Sequence, residues 1–295
     1  MEAITKLRGI ALEGGGVAGT GHGGAIDIID QIGVYPRLTH FAGSSAGSMV
    51  AALMACRVPS ETLKEILMTL DFRRLEDDSW FVFRDFYRLW SEYGWNRGQA
   101  LEDIFGEVLQ KYVGDKDITY QQVKDRFGSS LITTSTDVGV EGTVYRTPET
   151  SPDLPIRKGI RESASIPLFY CPVRADGTMY VDGGLLNNYP IRKLYEYLSP
   201  DQVVGCKLIS SGDRTLARRP EKALPSNLTS YVKLVIMMLH DLNLKAHVEE
   251  DDWKRTIKID IGTVSATDFD ISEEEKLGLI KSGEAAARKF FNYQL

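Results

Sequence analysis

The sequence predicts an α/β fold: a mostly parallel central sheet with helices on both faces. Three observations predict it. Short apolar runs of strand length alternate with longer runs of helical character along the chain. Glycine-rich motifs sit at the carboxyl ends of several of those strands, where an open parallel sheet binds its ligands. No linker, repeat or low-complexity stretch interrupts the pattern across 295 residues with 43% hydrophobic content. That length and composition suffice for one large core, so a single domain over 1–295 is expected.

The elements follow in order. An apolar strand at 7–12 leads to a helix at 21–33. A second apolar strand at 38–42 turns into a helix at 46–56, with a further helix near 60–70. Residues 82–95 are aromatic and basic by turns. A helix at 98–112 is followed by strands at 130–136 and 144–146, a helix at 156–164 and a strand at 179–182. A helix at 190–197 precedes an apolar strand at 203–209. A strongly apolar helix covers about 224–247. A strand at 257–261 and a helix at 273–293 close the chain, the latter opening on Glu273, Glu274 and Glu275, which suit a helix N-terminus.

Composition excludes some functions. A net charge of −6 argues against general nucleic-acid binding, which needs a dense basic face. It also argues against docking on anionic membranes by charge alone. Cys56, Cys171 and Cys206 lie far apart in apolar runs with no C-x-x-C, so core thiols in a reducing, cytoplasmic setting are expected. Residues 1–6 carry no apolar signal region, and no run of about eighteen apolar residues could span a bilayer. The acidic run 249–252 has no metal-ligand pattern.

Gly43-Ser44-Ser45-Ala46-Gly47 reads G-x-S-x-G between an apolar strand and a helix. A strand that turns sharply into a helix exposes the middle Ser, and the helix N-terminus aims free N–H groups at whatever that Ser attacks. Upstream, Gly14, Gly15, Gly16 and Gly19 follow the first strand. Such a loop holds an anion, either phosphate or a developing oxyanion. Gly14, Gly16 and Gly19 also match G-x-G-x-x-G, the dinucleotide fingerprint. That alternative wants a carboxylate at the end of the second strand, which instead ends Phe41-Ala42-Gly43. Late in the chain, Asp182-Gly183-Gly184 ends a strand. Taken alone, Asp-Gly reads as a hairpin turn.

The three motifs in this order resemble the patatin-like phospholipases. The resemblance runs from about residue 7 to 191 and includes Arg161-Glu162-Ser163-Ala164-Ser165-Ile166-Pro167 and Asn187-Asn188-Tyr189-Pro190. It implies a patatin-like α/β domain. It further implies a Ser–Asp dyad without His, in which Ser45 is the nucleophile and Asp182 the base. The amides of Gly14, Gly15 and Gly16, with that of Ala46, would form the oxyanion hole. A lipid substrate and no cofactor or metal also follow from the resemblance, while peripheral membrane contact through apolar residues is expected from the aromatic stretch 80–90, the net charge of −6 and the lack of a spanning run. One departure stands out: the family's loop usually carries Lys or Arg where this chain has Ala18.

Two other readings remain. A Ser-Asp-His triad would draw on His240 or His247, which follow Asp182. However, an α/β-hydrolase sheet builds several strands before its elbow, and here one strand and one helix precede the elbow's own strand. A catalytically idle lipid-binding or regulatory module on the same fold is the second, supported by Ala18. Outside the motifs, the aromatic stretch 80–90 suits an acyl pocket or a lipid interface as well as plain packing. The apolar segment 231–239 reads first as core. Arg214, Arg218, Arg219 and Lys222 read as a solvated basic loop that could meet a lipid headgroup.

Overall fold

The computed structural model describes residues 2–75, 77, 89–175, 177–210, 250–266 and 268–293. In chain order the elements are α1 (Glu2–Lys6), β1 (Gly9–Leu12), α2 (Gly21–Gln31), β2 (His40–Ser44), α3 (Ala46–Ala55), α4 (Ser60–Thr69), β3 (Gly94–Asn96) and α5 (Gln99–Val113). Then come α6 (Tyr120–Phe127), β4 (Ser130–Asp137), β5 (Gly142–Arg146), α7 (Ile156–Ser163), β6 (Leu168–Tyr170), β7 (Val173–Ala175) and β8 (Thr178–Asp182). Last are α8 (Ile191–Leu194), β9 (Val203–Ile209), α9 (Glu250–Trp253), β10 (Thr256–Asp260) and α10 (Glu273–Phe291).

The strands form one eight-stranded sheet, order β10-β9-β1-β2-β4-β8-β7, with β5 also on β4. β10, β9, β1, β2 and β4 run parallel. β5 and β8 both pair antiparallel with β4. The expected α/β architecture is therefore present, with β9 and β10 from the last third of the chain lying in the same sheet as β1. β3 and β6 make a separate two-stranded parallel pair.

Strand alternation divides the core. Ile10, Leu12, Phe41 and Leu131 face one side, packing with Ile26 and Ile29 of α2, Val50 and Met54 of α3 and Leu279 of α10. Ala11, Ala42 and Ile132 face the other side, under Tyr189, Ile191 and Leu194. Successive residues of one strand point to opposite faces, so both faces of a parallel sheet can be covered by apolar residues. Helices accordingly cover both sides. Cys56, Cys171 and Cys206 are buried free thiols.

The details differ from expectation in places. α2 stops at Gln31 because Gly33 takes a positive φ of 70° that ends the helix. Helix α6 was not anticipated, although Thr119 and Gln122 close a capping box on it and Gly128 terminates it at φ 63°. The three-residue strands β3, β6 and β7 are likewise additional. Residues 80–88 of the aromatic stretch, the helix expected near 224–247 and the basic loop at Arg214–Lys222 lie outside the described residues. Among the described residues, no helix is long and apolar enough to cross a membrane.

Candidate active site

Ser45 sits where β2 ends and α3 begins, 3% exposed, with φ 49° and ψ −126°. A residue with a Cβ adopts positive φ only when its surroundings hold it there. The two flanking glycines explain how. A Cβ on Gly43 would run into the Gly47 carbonyl and come within 2.6 Å of the Ser48 nitrogen. A Cβ on Gly47 would run into the carbonyl of Leu12 and lie 2.6 Å from that of Glu13. The turn closes on itself and on the end of β1. Ser48 secures it, its N–H and its hydroxyl donating to the Ser45 carbonyl at 2.9 and 2.5 Å.

Asp182 arrives from the opposite direction. β2 pairs with β4 over Ser130–Thr134, β5 over Thr133–Asp137 and β8 over Ser135–Asp137. β5 overlaps both of the others, so it occupies one edge of β4 while β2 and β8 share the second. Ser44 faces Thr134 and Asp182 faces Ser135, the next residue along that edge. The carboxyl ends of two oppositely running strands thus converge. Contact follows: a Cβ on Gly183 would lie 2.7 Å from Ser44 Oγ. Asp182 is fully buried. It opens a 3-10 turn rather than a hairpin, Oδ1 accepting the Gly184 N–H at 2.6 Å. Its backbone is fixed on both sides, the carbonyl accepting from Thr136 Oγ1 at 3.1 Å and the N–H donating to the Ser165 carbonyl at 2.9 Å.

The glycine loop lies against the nucleophile. A Cβ on Gly14 would be 2.9 Å from Ser45 Cβ. The members of the expected oxyanion set differ in their hydrogen bonding. The Gly14 N–H donates to the Asn188 carbonyl at 3.1 Å, so it is already engaged. Asn188 Nδ2 returns a bond to the Gly14 carbonyl at 2.8 Å. Among the described residues nothing accepts the N–H groups of Gly15, Gly16 or Ala46. Gly16 has φ 53°, and the Ala266 carbonyl fills the space a Cβ would need. Ala18 is buried in the core, its N–H donating to the Gly15 carbonyl at 3.1 Å.

Beneath the loop, Glu13 and Lys207 form a buried ion pair. Glu13 Oε2 also accepts the Leu208 N–H at 2.7 Å. Burial pushes the Glu13 carboxyl up to about 7, against the opposing pull of Lys207. His22 is fully buried, and its Nε2 donates to the Glu13 carbonyl at 2.8 Å. Burial pulls its imidazole down to about 4. His40 bonds Thr39 Oγ1 through Nδ1 at 2.9 Å and stacks on Tyr197. Neither imidazole is hydrogen-bonded to Ser45 or Asp182. His240 and His247 lie outside the described residues.

Two stretches take on roles that their residue types did not announce. Asn188 ties the segment after Asp182 to the glycine loop. Ser163, at the end of α7, accepts the Ser45 N–H on its hydroxyl at 3.0 Å. Serine and asparagine hydrogen-bond in many settings, so only three-dimensional proximity distinguishes these two.

Comparison with known proteins bears on the family and the fold. The family model described as "Patatin-like phospholipase" matches residues 10–195. The chain is 26% identical over 287 residues to the uncharacterized protein R571 of Acanthamoeba polyphaga mimivirus, covering 95% of this chain and 92% of that one. It is 26% identical over 166 residues to the probable lipid hydrolase 463L of Invertebrate iridescent virus 6, covering 55% of this chain and 54% of that one. Among solved structures, VipD from Legionella pneumophila superposes with a TM-score of 0.66 at 17% identity, over 97% of this chain and 67% of VipD. At that identity the likeness concerns the fold.

Proposed function

The chain belongs to the patatin-like phospholipase family, and we propose that it hydrolyses the carboxylic esters of lipids through a Ser45–Asp182 dyad. The observation that carries this reading is the convergence of β2 and β8 along one edge of β4, which brings Ser44 and Gly183, neighbours of the two residues, into contact. The probable lipid hydrolase among its relatives supports the substrate class.

In this mechanism Ser45 Oγ attacks the ester carbonyl carbon while Asp182 takes the hydroxyl proton. The negative charge gathers on the former carbonyl oxygen, held by the N–H groups of Gly15, Gly16 and Ala46. One such donor contributes about 2.7–4 kcal/mol of transition-state stabilisation. The tetrahedral intermediate collapses, the C–O bond breaks, and the leaving alcohol receives the proton from Asp182. An acyl-Ser45 ester remains. Water then attacks it, giving its proton to Asp182, and Ser45 is released with its own proton restored. A carboxylate is a weak base in water. The reading therefore needs a carboxylate that is shielded from water and fixed in place, and Asp182 is fully buried with Oδ1 held on the Gly184 N–H.

Labelling with a fluorophosphonate tests the proposal. Wild-type protein is expected to take up one equivalent at Ser45 and lose esterase activity in step, while Ser45→Ala takes up none. A wild-type chain that binds lipid vesicles yet resists the label would be a lipid-binding module instead.

A further inference from the structure

The segment 161–165 holds the backbone of both members of the dyad. The Ser45 N–H donates to Ser163 Oγ at 3.0 Å, and the Asp182 N–H donates to the Ser165 carbonyl at 2.9 Å. Ser163 and Ser165 are fully buried. The Ser165 hydroxyl donates to the Arg161 carbonyl at 2.5 Å and accepts from the Arg161 guanidinium. That guanidinium is buried as well. It donates to the Cys171 carbonyl at 2.8 Å and to the Arg97 carbonyl, and stacks over the Tyr170 ring at 5.5 Å.

We infer that Ser163 is a positioning residue for the nucleophile, and that residues 161–165 form a clamp setting Ser45 relative to Asp182. The inference rests on the dyad reading above. Ser45 occupies a backbone conformation that a residue with a Cβ leaves unless it is held. Its carbonyl is secured from within α3 by Ser48. Among the described residues, Ser163 is the one hydrogen-bond partner of the Ser45 backbone from outside β2 and α3. A neutral hydroxyl suits the place. It accepts the N–H without burying a charge. The Arg161 fork gives the clamp its rigidity, since one planar group fixes a hydroxyl and two carbonyls at once.

Ser163→Ala tests this. Turnover per titrated site is expected to fall by about 10- to 100-fold with KM nearly unchanged, because the nucleophile is displaced and lipid binding is not. The rate of fluorophosphonate labelling at Ser45 should fall by the same factor. A merely structural role would lower the fraction of protein that can be titrated and leave turnover per titrated site intact; that result overturns the inference. Should Ser163→Ala not fold, the near-isosteric Ser163→Cys replaces the oxygen by a weak acceptor. Its turnover per site is expected to fall too, and wild-type turnover in that variant is equally fatal. A wild-type protein that neither labels at Ser45 nor hydrolyses esters would remove the dyad reading itself. A wild type that does both while Ser163→Ala matches it removes the clamp alone.

Discussion

Ser44 and Asp182 end two strands that meet along one edge of β4, Ser44 opposite Thr134 and Asp182 opposite Ser135. One strand runs with β4 and the other against it, so each releases its next residue at the same place. Gly183 is that residue on the Asp side. A Cβ there would collide with the Thr134 carbonyl and lie 2.7 Å from Ser44 Oγ. Backbone cannot swing aside as a side chain can. Gly183→Ala is therefore expected to push the two strand ends apart. Hydrolysis should drop about 100-fold, with a stability loss of about 1–3 kcal/mol in urea denaturation. Unchanged activity would mean that the two strand ends do not jointly set the site.

In the proposed mechanism Ser45 is the nucleophile, and its backbone is also strained. Ser45→Ala should remove hydrolysis altogether, with Ser44→Ala as a folded control that keeps a labelled Ser45. The positive φ makes a further distinction between two inactive variants. Glycine takes that backbone freely and alanine does not. Ser45→Gly should thus be more stable than Ser45→Ala by about 1 kcal/mol. Equal stabilities by chemical denaturation would show that the elbow is not held in a strained conformation.

Asp182→Asn separates the dyad from a triad. The amide oxygen can still accept the Gly184 N–H that Oδ1 now accepts at 2.6 Å, so the turn is kept. The amide cannot take a proton. Activity is expected to fall nearly as far as in Ser45→Ala, with a melting temperature close to wild type. His240→Ala and His247→Ala should retain most activity. Loss of hydrolysis in a folded variant of either would favour the triad.

The sequence made some of this legible for physical reasons. G-x-S-x-G is readable because the elbow needs a glycine on both sides of its Ser, and Gly43 and Gly47 have no space for a side chain. Asp182 is readable as the third motif in order, but the direction of its strand is not. The motifs suggest strand ends pointing one way, whereas β8 runs against β4 and reaches the site because it shares an edge with β2. Gly14 illustrates the same limit. Its residue type fits an oxyanion donor, yet its N–H is engaged by Asn188, 174 residues away, and no local pattern predicts such a partner. Strands of three residues, such as β6 and β7, are too short to show a period. Two signals were available. Thr119 with Gln122 is a capping box and announces α6. Lys207 lies within the apolar run of β9, where a buried cation calls for a buried carboxylate, and Glu13 supplies it.

His22 and Glu13, joined beneath the glycine loop, give opposite pH dependences. His22 titrates near 6.5 when exposed and is pulled down to about 4 by burial. As pH falls from 6.5 to 4 the unfolded chain takes up a proton that the folded chain refuses, so stability is lost toward acid. At about 1.4 kcal/mol per unit, the loss amounts to about 3 kcal/mol. Glu13 titrates near 4.5 when exposed and is pushed up to about 7. As pH rises from 4.5 to 7 the unfolded chain releases a proton that the folded chain keeps, so this contribution is lost toward neutrality. The two oppose each other between 4.5 and 6.5, and His22 alone acts below that. His22→Gln, which retains a donor for the Glu13 carbonyl, isolates the imidazole. The stability advantage of wild type over this variant should be largest at pH 7 and shrink steadily to pH 4. A difference that stays constant in urea denaturation at pH 7, 5.5 and 4 would show that His22 is not held neutral by its burial.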